Sequence, residues 1–352
     1  MSPVAVPSLR HCAPEELSIR RVRRGRGFSY HDAHGKRVTD DSTLERIGAI
    51  VIPPAWTEVR ISADVNSHLQ AVGRDNRGRL QYRYHPQWVE FRDRVKFDRL
   101  PVFANALPAV RKRIDTDLSL PGIPRDKVLA TVAELLQTTL IRVGNEEYAR
   151  ENGAYGLTTL RNRHAQVSGA HVTFVFTGKS GIEHEVHAHD RRIAKVLREC
   201  QEIPGQRLFQ YVDDDGTPSA VHSHDVNDYL RDAAGTEITA KDFRTWVATV
   251  AVATGLGPLE PPASEVEERT VVKEVIAEVA AALGNTPTVC RGSYVHPRVL
   301  ETYATGALHD VWSTTPPRRA RLTLEERKTR ALLGARVRKG TATVSPALRR
   351  AG

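Results

Sequence analysis

The sequence predicts an α+β protein: a small β-rich N-terminal domain followed by a larger, mainly α-helical domain that carries a β-hairpin. Up to Tyr84, short segments alternate apolar and polar residues and are separated by turn residues, which is typical of strands. After Trp88, longer segments repeat apolar residues every three or four positions, which is typical of helices. Residues 171–186 alternate again on both sides of a Thr-Gly-Lys-Ser-Gly turn, and this predicts a hairpin within the helical part.

Length and charge narrow the class of protein. A chain of 352 residues with 40% hydrophobic and 26% charged residues is long enough for two or three globular domains. The net charge of +9 favours an anionic partner, of which nucleic acid is the foremost; the alternative is a basic enzyme without a polymer ligand. We find neither a signal peptide nor an apolar run of membrane-spanning length, and we expect a cytoplasmic protein associated with the nucleoid.

The three cysteines are Cys12, Cys200 and Cys290, which lie far apart and form no CxxC pair. This pattern indicates reduced thiols in a cytosolic protein. It argues against a disulfide framework and against a zinc finger.

The N-terminal part should be mostly strands. Residues 1–15 hold three prolines and no periodicity, so we expect a loose terminus ahead of a DNA-contacting β domain at residues 16–96. A hairpin is predicted over residues 19–30, with five arginines between positions 20 and 26. These arginines would face either water or a phosphate backbone.

A later strand of this domain interleaves aromatic and polar side chains. Alternation places Tyr82 and Tyr84 on one face and Gln81 and Arg83 on the other. Aromatic rings can pack on sugars or bases while an arginine reaches phosphate. The alternative is that the tyrosines are half-buried strand residues without a ligand.

The helical domain is predicted at residues 97–316. Its clearest helix runs over residues 126–142, where leucines and valines form one apolar stripe. Further helices are predicted to begin at Asp190, Asp225 and Thr239, and a last one to end at Gly284.

A basic tail, residues 317–352, follows this domain. Eleven Lys or Arg stand among residues 318–352 against two acidic residues, Glu325 and Glu326. We predict a short helix and a flexible basic end that adds sequence-independent affinity for DNA. The alternative is an ordinary solvated terminus.

The helix that begins at Thr239 carries the most informative stretch. Asp242, three residues after Thr239, completes a capping-box pattern. Arg244 lies beside the apolar stripe, where its planar guanidinium could be held at the edge of a cleft and bind two phosphate oxygens. The alternative is that Lys241 and Arg244 solvate a helix face. The stripe consists of Phe243, Trp246, Val247 and Val250.

The stretch Lys-Asp-Phe-Arg-Thr-Trp at 241–246 resembles the second-arginine motif of type IB DNA topoisomerases, in the small poxvirus-like branch that also occurs in bacteria. The resemblance extends from about Arg20 to about Leu308. Pro-Pro-Ala-Trp at 53–56 and Gln-Tyr-Arg-Tyr at 81–84 are similar to the family's N-terminal domain, whose tyrosine-bearing strand touches the DNA major groove. The resemblance implies that a monomer binds supercoiled duplex DNA as a clamp of two domains. The implied DNA-binding residues are Gln81, Tyr82, Arg83, Tyr84, Tyr148 and Lys241.

The same resemblance singles out five catalytic residues. Arg142 opens Arg-Val-Gly-x-x-x-Tyr, similar to the first catalytic arginine motif, and Lys179 stands in Phe-Thr-Gly-Lys-Ser-Gly, similar to the hairpin-borne lysine. Arg244 matches the second arginine. Asn285 lies nine residues before Tyr294, the family's spacing to its nucleophilic tyrosine.

The chemistry of these residue types fits those roles. Guanidiniums and an amide donor can stabilise the charge that develops on a phosphodiester under attack. Tyrosine, with an ordinary pKa of about 10, needs neighbouring arginines to favour its anion before it can attack. A lysine can protonate the departing 5′ oxygen as general acid. A phosphotyrosyl bond conserves the energy of the broken bond, so no cofactor, ATP or metal is expected, and we find neither a Walker loop nor a carboxylate cluster.

Two positions depart from the family pattern. Eukaryotic and poxvirus members carry histidine at the position of Asn285, whereas bacterial relatives often have asparagine. Asparagine cannot act as a proton donor of matched pKa, so we assign Asn285 only hydrogen bonding to the phosphate. Viral relatives place a basic DNA contact at the position of Asn145, so that contact is not expected in this chain.

Two other features compete for a functional role. Tyr303 also lies near the C-terminus, but it follows Leu300 in an apolar helix pattern, which predicts packing. Residues 183–190 are rich in histidine and acids; alternation puts Glu183, Glu185, His187 and His189 on one strand face, which fits a zinc site less well than an exposed polar face.

Two other functions remain open at this point. A tyrosine recombinase uses the same chemistry on a related catalytic fold, but usually has His-x-x-Arg where this chain has Lys241-Asp242-Phe243-Arg244. A non-enzymatic DNA-binding protein would share the charge without needing Tyr294.

Overall fold

The computed structural model describes residues 7–213, 215–316 and 321–334, apart from the side chain at position 180. The chain divides into two compact units, Met1–Asp98 and Arg99–Gly352. A small β-sheet region is thus followed by a mainly helical region, which confirms the predicted α+β class.

The first unit is built on a five-stranded antiparallel sheet with the order β2-β1-β3-β4-β5. Its inner face buries Ile19, Val59, Ile61 and Ala71 against Ile47 of the first helix. The predicted hairpin is confirmed. The elements are β1 (Ile19–Arg24), β2 (Gly27–His31), α1 (Asp41–Ala49), β3 (Thr57–Ile61), β4 (Leu69–Arg74), β5 (Leu80–Tyr84) and α2 (Pro86–Asp98).

The N-terminal segment is attached to this sheet from residue 10 onward. Arg10 forms ion pairs with Glu16 at 2.8 Å and with Asp64 at 3.0 Å. Cys12 is buried and packs with Leu69. The expectation of a loose terminus over residues 1–15 is therefore wrong for residues 10–15, because pairing with the loop before β4 holds this segment on the sheet. Residues 1–6 lie outside the described residues.

The second unit consists mainly of helices. Its elements are α3 (Leu100–Leu118), α4 (Arg125–Thr139), α5 (Glu146–Asn152), β6 (Ala165–Ser168), β7 (His171–Thr177), β8 (Glu183–His189), α6 (Arg191–Glu202), β9 (Gln210–Val212), β10 (Pro218–Ala220), α7 (Ser223–Ala234), α8 (Ala240–Leu256), α9 (Glu265–Ala282), α10 (Pro287–Ser293), α11 (Pro297–Ala304), α12 (Ala307–Thr314) and α13 (Leu324–Gly334).

Helix α4 is the buried centre of this unit, and its C-terminal end bears on the site. Its apolar stripe is confirmed, with Val128, Leu129 and Leu135 fully buried. The helix ends at Thr139, not at 142 as the sequence predicts, because Leu140 adopts a left-handed conformation with φ 58°. Arg142 consequently stands on an extended segment rather than on a helix.

The predicted hairpin within the helical part is confirmed and gains a third strand. Strands β6, β7 and β8 pair antiparallel, with His171 opposite His189 and Thr177 opposite Glu183. Apolar side chains of β7 point inward, whereas alternate residues of β8 are exposed. Its turn, Lys179–Gly181, is a short 3₁₀ helix.

The sequence predicts the start of α6 correctly but places the start of α7 two residues too late. Helix α6 begins after Asp190 as predicted, since the Asp190 carboxylate accepts hydrogen bonds from the first-turn amides. Helix α7 begins at Ser223 rather than at Asp225. The Asp225 carboxylate accepts a hydrogen bond from the backbone N–H of His222 at 2.8 Å, so this acid lies inside the first turn.

Helix α13 packs against α8 on the face that carries Trp246. Its buried Glu326 accepts two hydrogen bonds from Arg111, at 2.7 and 2.8 Å, and one from Nε1 of Trp246 at 3.2 Å. The short helix predicted in the tail is therefore present, while the basic end, residues 335–352, lies outside the described residues. Trp246 is two residues beyond Arg244, so this network steadies the helix that carries the arginine.

Replacing Glu326 with alanine is expected to lower the free energy of unfolding by about 3 kcal/mol, because it leaves the Arg111 charge partly buried and unpaired. Urea denaturation would measure the loss. Glu325→Ala, on the same turn of α13, is the control, and equal losses in the two variants would contradict the role of the network.

Each of the three cysteines is buried and forms no disulfide, which confirms the expectation of free thiols. Among the described residues, no helix is both long and apolar enough to cross a membrane.

Candidate active site

Arg244 is buried near the start of α8. The predicted capping box of α8 is present, since the Asp242 carboxylate accepts hydrogen bonds from the N–H and the hydroxyl of Thr239. The guanidinium of Arg244, 6% exposed, donates to the carbonyl of Leu140 at the end of α4 and to that of Leu283 at the end of α9, the latter at 2.7 Å. The alternative of a solvated helix face is therefore wrong for Arg244, although Lys241 is exposed.

Tyr294 directly follows α10 and lies against this guanidinium. Cζ of Arg244 is 5.4 Å from the centroid of the half-buried tyrosine ring. The backbone carbonyl of Tyr294 accepts a hydrogen bond from the hydroxyl of Thr249, 3.1 Å away, and this hydroxyl also accepts from the N–H of His296. Because Thr249 is a fully buried residue of α8, one helix holds both the arginine and the tyrosine segment.

Arg142 is held by a close pairing of two extended segments. Its carbonyl accepts from the N–H of Leu157 at 2.8 Å, and the N–H of Thr158 donates to Val143 at the same distance. The segments approach so closely that a β-carbon at Gly156 would lie 2.6 Å from the Arg142 carbonyl oxygen. Gly144, with φ 106°, permits the turn that follows.

The resemblance implies DNA cleavage at this site, and on that expectation Gly156→Ala should slow cleavage by roughly 10²-fold. The added methyl must push the Arg142 segment out of place, and misplacement by about 1 Å can cost that much. Single-turnover cleavage would measure it. The control is Gly292→Ala, since nothing lies within 4 Å of a β-carbon there. A Gly156→Ala enzyme as fast as the control would show that Arg142 does not depend on this contact.

Asn285 connects Arg142 to the tyrosine side of the site. Nη2 of Arg142 donates to Oδ1 of Asn285 at 3.0 Å, which identifies the other amide atom, Nδ2, as a donor. Nδ2 is buried without a hydrogen-bond partner among the described residues, and so is Nε of Arg244. Buried donors are rarely left unpaired, so the two atoms indicate a place for an acceptor.

The electrostatics of the cluster act on Tyr294. Burial works to raise the pKa of its hydroxyl, but the charges of Arg244 and then Arg142 outweigh burial, and the pKa lies below its ordinary value. The pKa of Arg244 is lowered by burial and by Arg142, while Tyr294 acts to raise it. The site therefore stabilises the phenolate of Tyr294 relative to that of a tyrosine in water.

Lys179 is the one predicted catalytic residue that the structure does not bring into this cluster. It lies in the turn between β7 and β8, is exposed, and forms no hydrogen bond or ion pair with a described residue. The other four predicted residues, Arg142, Arg244, Asn285 and Tyr294, lie together.

His184 lies beside the site, and no motif in the sequence predicts it there. Its ring stacks on Phe176 of β7 with centroids 5.2 Å apart, and burial together with the charges of Arg142 and Arg244 lowers its pKa. Alternation along β8 could have located it, because the outward Glu183, Glu185, His187 and His189 leave position 184 on the inner face. The exposed polar face predicted for those four residues is confirmed. The described residues include no cluster of three or more metal-ligand side chains.

Comparison with known proteins shows which proteins this chain is similar to. Residues 86–310 match the catalytic core of eukaryotic DNA topoisomerase I, and residues 27–75 match the N-terminal domain of bacterial DNA topoisomerase IB. DNA topoisomerase 1B of Acanthamoeba polyphaga mimivirus is 32% identical over 81% of this chain and 87% of its own. DNA topoisomerase 1B of vaccinia virus (strain Copenhagen) is 24% identical over 79% of this chain and 88% of its own.

This chain belongs to the type IB DNA topoisomerases. It is therefore an isomerase that acts on DNA, as the sequence predicts. The match to the catalytic core covers the elements that carry all five predicted catalytic residues.

The predicted DNA-binding residues of this topoisomerase's first unit differ in what surrounds them. Tyr82 and Tyr84 share a face as predicted, with rings stacked at 6.1 Å; Tyr82 is exposed, whereas Tyr84 is half-buried beside His68. On the other face, Gln81 donates to Asp75 at 3.0 Å and Arg83 donates to the carbonyl of Val51 at 3.0 Å. Of the two tyrosine rings, that of Tyr82 is thus the more exposed.

Tyr148 lies on α5 of the second unit and is 48% exposed. The helix begins after Asn145, whose side chain accepts a hydrogen bond from the N–H of Tyr148 at 3.0 Å. Asn145 is thus a helix cap, which gives a structural reason for an uncharged residue at that position. Lys241, exposed at the start of α8, is free to meet an anionic ligand.

Proposed function

We propose that this topoisomerase relaxes supercoiled duplex DNA by cutting one strand with Tyr294, letting the cut strand swivel, and resealing it. The Tyr294 hydroxyl first releases its proton to solvent. The phenolate oxygen then attacks the scissile phosphorus and forms a 3′-phosphotyrosyl bond, while the bond to the 5′ oxygen breaks. The observation that carries the proposal is a pair of buried donors, Arg244 Nε and Asn285 Nδ2, that have no hydrogen-bond partner in the described part of the chain and lie in the cluster that contains the tyrosine.

The charge that develops in this step has identified partners. Attack places additional negative charge on the non-bridging oxygens of the phosphate. Arg142 and Arg244 supply fixed positive charge there, and Asn285 donates a hydrogen bond. Because Asn285 cannot transfer a proton at neutral pH, its role is hydrogen bonding only.

The leaving oxygen needs a proton, which we assign to Lys179. Its exposed position on the hairpin turn leaves the ammonium free to approach a bound DNA strand. In resealing, the 5′ hydroxyl returns this proton to Lys179 and attacks the phosphotyrosyl bond, which releases Tyr294. One phosphoester bond replaces another in each direction, so the cycle needs neither ATP nor a metal ion.

DNA contacts outside the cluster follow from exposed side chains. Tyr82, Tyr148 and Lys241 present rings or charge outward, as duplex contacts require. We propose that the enzyme acts as a monomer on the supercoiled DNA of the cytoplasm, in association with the nucleoid.

The test is relaxation of a supercoiled plasmid by the purified protein in EDTA without ATP. We expect complete relaxation. A covalent protein–DNA adduct without relaxation would indicate recombinase-like chemistry instead. Neither relaxation nor an adduct would indicate a protein that only binds DNA, and the proposal would be wrong.

A further inference from the structure

The imidazole of His184 lies between two loops that carry proposed catalytic residues. It stands on the inner face of β8, half-buried, with its ring nearly parallel to that of Phe176 at an interplanar angle of 19°. Within the described part of the second unit, its nitrogens form no hydrogen bond. The described residues therefore hold the His184 ring by packing and stacking, and not by hydrogen bonds.

Two glycines make room for this ring. A β-carbon at Gly178 would lie 2.5 Å from Cδ2 of His184, and one at Gly284 would lie 2.9 Å from Cε1. Side chains essentially never approach so closely, so only glycine fits at either position without a shift. Gly178 directly precedes Lys179, and Gly284 directly precedes Asn285. The ring therefore contacts the hairpin turn along one edge and the loop between α9 and α10 along another.

The electrostatics suit a neutral spacer at this place. Burial and the charges of Arg142 and Arg244 lower the pKa of His184, which favours the neutral imidazole over the imidazolium. An uncharged ring can fill space beside two guanidiniums without repelling them.

We propose that His184 is a positioning residue that sets the spacing between the Lys179 turn and the Asn285 loop. Through it, the general acid and the phosphate-binding donor meet the same phosphodiester. The inference rests on the proposed function, because it assumes that Lys179 protonates the leaving oxygen.

The spacing predicts a specific kinetic signature for His184→Ala. Without the ring the turn is free to shift, and Lys179 no longer reaches the leaving oxygen reliably. Cleavage of an ordinary duplex should slow by about 10²-fold. Cleavage of a duplex with sulfur at the 5′ bridging position should stay within a few-fold of wild type, because a thiolate leaves without a proton; thiols are far more acidic than alcohols, and that of cysteine has a pKa of about 8.5.

The experiment compares single-turnover cleavage of both duplexes by wild type, His184→Ala, Lys179→Ala and His187→Ala. His187 is the control because it is exposed on the opposite face of the same strand. We expect Lys179→Ala to share the sulfur rescue and His187→Ala to match wild type. Equal slowing of His184→Ala on both duplexes, or no slowing at all, would overturn the inference.

A second variant covers the case in which His184→Ala is poorly folded. Gly178→Ala, whose added methyl must displace the imidazole, should reproduce the defect and the sulfur rescue. In the His184→Ala background the same methyl meets no ring, so its further effect should be less than about threefold. Additive effects would overturn the inference.

Failure of the proposed function would look different. If Lys179→Ala were not rescued by sulfur, the general-acid assignment would be wrong, and the inference about His184 would be wrong with it. If wild type formed no adduct on either duplex, the nucleophilic role of Tyr294 would be at fault. A failure confined to His184 and Gly178 leaves the proposed function in place.

Discussion

Tyr294→Phe should form no covalent adduct with DNA, a loss of at least about 10⁵-fold in cleavage rate, because it removes the proposed attacking oxygen. Affinity for duplex DNA should stay within about twofold of wild type. The phenylalanine ring can still pack beneath Arg244, and the backbone contact between Tyr294 and Thr249 does not involve the hydroxyl.

The adduct is measured on denaturing gels with an end-labelled duplex, and affinity is measured by gel shift. Tyr303→Phe is the matched control, since Tyr303 is another tyrosine near the C-terminus and is buried, 3% exposed, on the inner face of α11. The control should cleave normally. Adducts in Tyr294→Phe would assign the nucleophile to another tyrosine, and an equal loss of binding would indicate a structural role.

The parts of the fold that could be predicted are those with a clear periodicity of apolar residues. Apolar spacing around Phe243 and Trp246 identified α8, and the structure buries both side chains. The end of α4 could not be predicted the same way. A leucine at position 140 gives no signal for the left-handed conformation that stops the helix, because this conformation is imposed by its surroundings.

The candidate site shows the same limit. The bond between Arg142 and Asn285 joins residues 143 positions apart, and no spacing rule predicts it; the family resemblance suggested the pair. His184 carried no motif, since its importance arises from contacts with two glycines of different loops. Sequence patterns thus predict the elements, whereas long-range contacts decide which side chains meet.

Arg244→Ala is expected to slow cleavage by roughly 10³-fold or more, because it removes a preorganised charge from the phosphate site. It should also destabilise the protein, since the carbonyls of Leu140 and Leu283 lose their donor in a buried place. Both effects follow from one geometry: the bonds that fix the guanidinium also tie the end of α4 to the end of α9.

Arg244→Lys separates the two effects. An ammonium restores the charge, but it lacks the planar fork that spans two carbonyls and still leaves Nε for a phosphate oxygen. We therefore expect Arg244→Lys to recover part of the stability while remaining at least about 10²-fold slow. Urea denaturation and single-turnover cleavage, measured on the same preparations, test this.

The control for lost charge is Arg269→Ala on α9, where the arginine side chain is 78% exposed and, among the described residues, forms an ion pair only with Glu265. It removes the same charge from the same unit and should change neither stability nor cleavage by a large factor, because exposed ion pairs contribute little. If Arg244→Lys cleaved as fast as wild type, charge alone would suffice. The fixed fork of Arg244 would then be a structural tie between α4 and α9, and the phosphate would depend on Arg142 and Asn285 for its hydrogen bonds.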